Sequence, residues 1–256
     1  MFVVQVVCTI VENILMTYTI KQQCVLAYQI CAKWGVDEGT YTHISMRDDQ
    51  EGGFWIKPHG LLFEEVNVDN LVLMGLDGQL KSGHTGDENI TGTNIHGGIY
   101  RHRPDVVAVI HLHTPATVAI SSDPKGLRML SQWALHFYQS VGLHAYDSLA
   151  LSDSQGDNLA RDLAERRVCL MAHHGFVAVG TTMAEALYHV HHFEHAAKAQ
   201  VMMSEAALAN EIPEDICLRA SRDLLGFEKN LGERDFAAAI RMLSPQVLQA
   251  LLSDPS

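Results

Sequence analysis

The sequence predicts an α/β fold built on a mixed sheet. Three observations point there. The β-branched apolar run opening "VVAVIHLHTPA" and the apolar run opening "VCLMAHHGFVAVG" read as buried strands, and each is followed by histidines. Segments with helical periodicity lie between strand-like segments along the chain. No internal repeat or low-complexity linker divides the 256 residues, a length that fits one large domain.

Residues 1–18 read as an N-terminal extension ahead of a single domain at 19–256, because the periodic pattern starts only after Met16. The extension is apolar, but it has no basic leader region and no small-residue cleavage site. It also carries Glu12 and is too short to span a bilayer, so neither a signal peptide nor a membrane span is expected. Whether the native start is Met1 or Met16 stays open at this stage.

After Thr19, the residues Ile20, Cys24, Ala27, Cys31 and Trp34 recur at helical spacing, and Gly35 closes the helix. "GTYTHISMR" reads as a turn and a strand. "GGFWIKPHG" is a strand ended by Pro58 and Gly60, and "NLVLMGLDGQLKSG" is a hairpin turning at Asp77-Gly78. "TGTNIHGGIYRHR" is a helix that stops near Pro104. The first histidine strand follows, then a short helix over "TPATVAISS" with Thr114 placed to cap it. The stretch "GLRMLSQWALHFYQSVGLHAYDSLAL" is only partly amphipathic and receives no assignment. "SQGDNLARDLAERR" is a helix, and "VCLMAHHGFVAVG" is a pair of strands broken at "HHG". The longest helix begins at Thr182 with Glu185 in a capping-box pattern, running through "TTMAEALYHVHHFEHAAKAQVMMSEAALAN". A C-terminal helical tail carries "DFAAAIRMLSPQVLQALLS", broken at Pro245.

A net charge of −12 and the absence of any basic run argue against nucleic acid as a partner. The five cysteines are odd in number and irregularly spaced, with no C-x-x-C pair, so reduced thiols in a cytoplasmic protein are expected. Cys169, inside an apolar strand, reads as a small buried hydrophobe. Fifteen histidines are unusual for this length and lend weight to a metal reading.

On a strand, His111 and His113 point to the same face. Two such imidazoles are either ordinary hydrogen-bonded residues or two ligands of a metal. The second histidine site lies 61 residues further on (174 − 113), again after an apolar run and before a glycine. Two strands of one sheet can bring these ends together, and three neutral imidazoles with an open position suit a catalytic divalent metal.

The chain resembles the class II aldolase/adducin family. The segments that carry the resemblance are "YTHISMR", "FWIKPHG", "LVLMGLDGQL", "NIHGGIYRHRPDVVAVIHLHTPA", "CLMAHHGFVAVGTTMAEAL" and "HFEHAAKAQ", in the family's order and over roughly residues 20–205. "YTHIS" and "LSQWALHFY" look most like its adducin-like branch. The resemblance implies a three-layer α/β/α fold with a central mixed, largely antiparallel sheet. It also implies a homo-oligomer, a tetramer by family habit, with active sites near subunit contacts. Its metal ligands fall on His111, His113 and His174, with His174 chosen over His173 because it precedes Gly175. Zinc is the first choice of cofactor, with manganese or iron open.

The implied activity is a divalent-metal-dependent lyase acting by aldol cleavage or decarboxylation on a small hydroxy- or oxo-acid or a sugar-derived substrate. Alternatives are a metal-dependent oxygenase on the same scaffold and a non-catalytic adducin-like interaction domain. The family's acid/base glutamate falls on Gly92, which places proton transfer on another group, with His96 and Tyr138 the catalytic candidates. Substrate-binding candidates are Ser45, Arg47, Gly60, Ser131 and Gln132; Arg47 also reads as a surface arginine. His43 and His59 add donors suited to a carboxylate or a phosphate. His189, His191, His192 and His195 read as a helix face rather than a second metal site, and Glu194 as structural.

Overall fold

The computed structural model describes residues 18–84 and 88–252, so the N-terminal extension and the choice between Met1 and Met16 fall outside the described residues. Ile20–Trp34 forms α1. Thr19 and Gln22 cap it reciprocally, and Gly35 ends it in the left-handed conformation at φ 65°. The strands are β1 (His43–Asp48), β2 (Gly53–Ile56), β3 (Val72–Gly75) and β4 (Leu80–Ser82), then β5 (Ala108–Leu112), β6 (Val141–His144), β7 (Val168–Met171) and β8 (Gly175–Gly180). They make one sheet in the order β4-β3-β2-β1-β5-β8-β7-β6. Every pairing is antiparallel except β6 with β7.

The alternation of side chains along the strands explains the layers. One face presents Ile44, Met46, Ala108, Ile110, Leu112, Phe176 and Ala178 to a core shared with α1 and with α6, the long helix Met183–Val201. The other presents Phe54, Ile56, Val109, Val177 and Val179 to α2 (Ile90–His102) and α5 (Asp153–Leu163). The result is a sheet between two helical layers, an α/β fold with a mixed, largely antiparallel sheet. Helices α2 and α5 cross with their backbones nearly touching, for a Cβ on Gly98 would lie 2.3 Å from the carbonyl carbon of Gly156.

The structure departs from the sequence reading at four points. After the expected short helix, α3 (Pro115–Ser121), the unassigned middle stretch holds the one-turn helix α4 (Gln132–Leu135) and the edge strand β6. The long helix ends at Val201, and a separate turn, α7 (Glu205–Leu208), starts behind a Ser204 cap. Thr182 caps α6 as expected, but Glu185 closes back on Thr181 rather than on Thr182. A helix not foreseen, α8 (Glu214–Gly226), precedes α9 (Glu233–Ile240) and α10 (Pro245–Leu252), which divide near Pro245 as expected. Among the described residues, no helix is long and apolar enough to cross a membrane.

Candidate metal centre

The register of the central strands assembles the site. In the antiparallel β5–β8 pair, His111 lies opposite Val177 and Leu112 opposite Phe176. The next step of that register brings the end of β5 against Gly175. A Cβ on Gly175 would sit 2.3 Å from the Leu112 carbonyl oxygen, and the residue adopts φ 147°, a region L-residues rarely enter. The preceding turn places exposed His173 at φ 59° and bonds His174 N–H to the Met171 carbonyl at 3.0 Å. His174 is thereby carried beside the two histidines of β5. The ring centroids of His111, His113 and His174 lie 4.4–5.0 Å apart, and one ligand nitrogen from each falls within 4.8 Å of the others.

Proton accounting shows what this cluster can hold. His111 Nδ1 donates to the Phe176 carbonyl at 2.9 Å, and His113 Nδ1 donates to the Glu38 carboxylate at 2.7 Å. Those bonds leave both Nε2 atoms as bare acceptors, and they face one another at 2.7 Å. Two lone pairs so placed need a cation, either an extra proton or a metal ion. Burial first, then the neighbouring imidazoles, holds His111 well below its ordinary pKa; burial lowers His113 despite Glu38, and holds His174 near 4. The proton is thus disfavoured, and the donor set fits a divalent metal of imidazole preference.

A buried polar chain runs inward from the cluster. His43 is the cross-strand partner of His111, with ring centroids 5.0 Å apart. Its Nδ1 lies 2.8 Å from His96 Nε2, His96 Nδ1 meets Ser45 Oγ, and Ser45 Oγ lies 2.8 Å from Tyr100 Oη. Burial holds His43 well below its ordinary pKa and brings His96 down to about 3, so both imidazoles are neutral. Gly92 faces the same histidine: a Cβ there would lie 3.1 Å from His43 Cδ2. Just before His43, Thr42 takes φ 59°, unusual for a β-branched residue, and its buried hydroxyl has no hydrogen-bond partner.

Several candidates from the sequence take other positions. His96 is fully buried beneath His43, so it bears on the cluster through that residue. Ser45 is equally buried and bonded to His96 and Tyr100. The Arg47 guanidinium is engaged by the carbonyls of Tyr100, Arg103 and Val106 and stacks over the Tyr100 ring, so it is no free anion receptor. Ser131 caps α4, Gln132 faces solvent, and Tyr138 Oη donates to Glu214 at 3.0 Å; none of these bonds reaches the histidines. Gly60 lies in an exposed loop at φ 90°, with open space where a side chain would stand. On α6, His189, His192 and His195 bond backbone carbonyls, as a helix face would. Glu194 accepts from Thr114 and pairs with Lys198. Glu38, His43 and Thr42 were not picked out as parts of the cluster, for their proximity is created by the β1–β5 register and by the loop after α1.

Fold and site together define a three-layer α/β protein with a three-imidazole cluster at the end of a central strand. The chain belongs to the class II aldolase and adducin family, whose N-terminal-domain model matches residues 22–201. It is 32% identical over 199 residues to a Pseudomonas aeruginosa protein named "putative aldolase class 2 protein", covering 77% of this chain and 76% of that one. It is also 32% identical over 185 residues to rat (Rattus norvegicus) alpha-adducin, covering 70% of this chain but 25% of the adducin. The crystal structure of an aldolase II superfamily protein from Pseudomonas syringae superposes with a TM-score of 0.81 at 28% identity, covering 90% of this chain and 92% of that one. An L-fuculose 1-phosphate aldolase from Glaciozyma antarctica PI12 gives 0.72 at 25% identity, covering 91% and 88%.

Proposed function

We propose that the chain is a divalent-metal-dependent lyase that cleaves a carbon–carbon bond in a small hydroxy- or oxo-acid or sugar-derived substrate, by aldol cleavage or decarboxylation. The observation that carries this reading is the pair of Nε2 acceptors on His111 and His113 aimed at one another, with His174 beside them. Zinc is the first choice of metal. Once bound, the cation supplies Lewis acidity toward a substrate carbonyl or carboxylate oxygen.

The protein's own groups handle the proton. Tyr100 Oη donates to the Val107 carbonyl at 3.2 Å. Ser45 then donates to Tyr100, His96 Nδ1 donates to Ser45, and His96 Nε2 accepts from His43 Nδ1. His43 Nε2 is left as an acceptor beside the cluster, the arrangement a general base requires. His96, named as catalytic from the sequence, becomes the residue that orients the base. Of the substrate-binding candidates, Gly60 leaves open space in its exposed loop for the polar end of a substrate.

The active form is a homo-oligomer, a tetramer by the family's habit. Leu143 on β6 and Tyr146, Leu149 and Leu151 in the loop after it are exposed apolar side chains, Tyr146 lines a cavity with His174, and light scattering reads the assembly. The alpha-adducin likeness favours a second reading, a non-catalytic interaction domain. Such a domain has no need of converging imidazole acceptors. Elemental analysis separates the readings: close to one divalent metal per chain, largely lost in His113→Ala, supports the lyase. A metal-free wild type, or a mutant with full metal, refutes it, and stoichiometric iron would favour the oxygenase alternative.

A further inference from the structure

We propose that Glu38 is the positioning residue of the metal centre, a carboxylate that fixes the tautomer and direction of His113 without itself binding the ion. The proposal rests on the metal reading above and assigns a role to a residue of the loop between α1 and β1. Glu38 Oε2 lies 2.7 Å from His113 Nδ1. Neutral imidazole carries one proton, so placing it at Nδ1 obliges Nε2 to present a lone pair to the cluster. The Glu38 oxygens do not belong to the set of ligand atoms within 4.8 Å of one another, so the carboxylate works from the outer shell.

The three histidines are not supported alike. His111 is held by a backbone carbonyl, that of Phe176, inside the sheet. His113 lies just past the end of β5, and its Nδ1–H goes to a carboxylate rather than to a backbone carbonyl. The loop bearing Glu38 is itself anchored. Gly35 turns it out of α1, Tyr41 N–H bonds the Glu38 carbonyl at 3.0 Å, and the buried Lys57 ammonium donates to the Thr40 carbonyl at 2.8 Å. Three neutral imidazoles leave a bound dication with its full charge, and a carboxylate one residue removed offsets part of it while raising the basicity of His113. An ordinary exposed ion pair is worth little to stability, so the two roles give different readouts.

The experiment measures the dissociation constant of Zn²⁺ by competition with a chromophoric chelator on the purified full chain. The variants are Glu38→Gln, Glu38→Asp and His113→Ala, each also unfolded thermally in EDTA. Glu38→Gln is expected to weaken Zn²⁺ binding about 10- to 100-fold, with its metal-free unfolding midpoint unchanged and Glu38→Asp recovering part of the loss. The ¹⁵N shifts of His113 in the metal-free protein should move from the Nδ1–H form toward a tautomer mixture in Glu38→Gln. Zinc affinity in Glu38→Gln equal to wild type, while His113→Ala loses the metal, overturns the role of Glu38 and leaves the metal centre standing. A wild type that binds no zinc and no other divalent metal overturns the metal reading and this proposal with it.

Discussion

Replacing Gly175 by alanine should damage stability and the metal centre together. The new Cβ would lie 2.3 Å from the Leu112 carbonyl oxygen and 3.1 Å from His113 Cα. The nearer obstructing atom is backbone of β5, a strand hydrogen-bonded on both sides, by β1 and by β8, so it has no free direction in which to yield. The residue must also keep φ 147°, a conformation that disfavours any side chain. Holding a non-glycine residue there costs roughly 1–3 kcal/mol, and overpacking a closed site adds roughly 1–3 kcal/mol. For a chain of this size, a sum of about 2–6 kcal/mol lowers the unfolding midpoint by roughly 4–24 °C. Relief comes only if β8 and its preceding turn move away from β5, which carries His174 away from His111 and His113. Differential scanning calorimetry in EDTA and metal titration on the same samples read both effects. A variant within about 1 °C of wild type that binds metal normally would show that β5 does not press on Gly175 as described.

Two further outcomes follow from buried groups. Burial holds His96 near 3 and His189 near 4, against 6.5 in the unfolded chain, so as pH falls through 6.5 the unfolded state takes up protons first. Stability of the metal-free protein is therefore full above pH 6.5 and declines by about 1.4 kcal/mol per pH unit for each such histidine down to its folded value; a flat calorimetric midpoint between pH 7 and 5 would contradict this. Because position 92 carries no carboxylate and packs on His43, the wild type should cleave fuculose 1-phosphate poorly in a coupled aldolase assay, roughly a hundred- to ten-thousand-fold below an enzyme with that acid/base group. Gly92→Glu should displace His43 and lower the unfolding midpoint rather than restore cleavage, and efficient cleavage by the wild type would show that Gly92 is no handicap.

Most of the sheet was legible because its strands carry strong period-two or all-apolar runs bounded by turn residues. Two caps were equally plain: Thr114 and Thr182 each stand where their hydroxyls take a helix N–H. The middle stretch was not, for α4 is a single turn and β6 is an edge strand whose Leu143 faces solvent. Neither is long enough to show a period. Helix α8 did carry a signal that went unused, with Pro213 at its start and Glu214 and Asp215 in the first turn. The choice of His174 over His173 followed from the glycine after it, and the structure turns His173 outward to solvent.

What the sequence could not display is the company each histidine keeps. His111 and His113 share a face by strand periodicity alone, which any reader of "HLH" can infer. Their protonation depends on Phe176, 65 residues away from His111, and on Glu38, 75 residues away from His113. The orientation of His43 depends on His96, 53 residues distant, across the gap between sheet and α2. Periodicity assigns faces, but partners come from register, which is a property of the folded sheet. That separation also explains why the three histidines named from the family motifs lie together while the substrate-binding candidates do not. The candidate ligands ride on strand ends whose geometry the backbone imposes. Ser45 and Arg47 lie on β1 among the same motifs, yet their polar atoms are taken up by His96, Tyr100 and backbone carbonyls. A polar residue beside a site acts on substrate only when its neighbours leave one of its atoms unpartnered and open to approach.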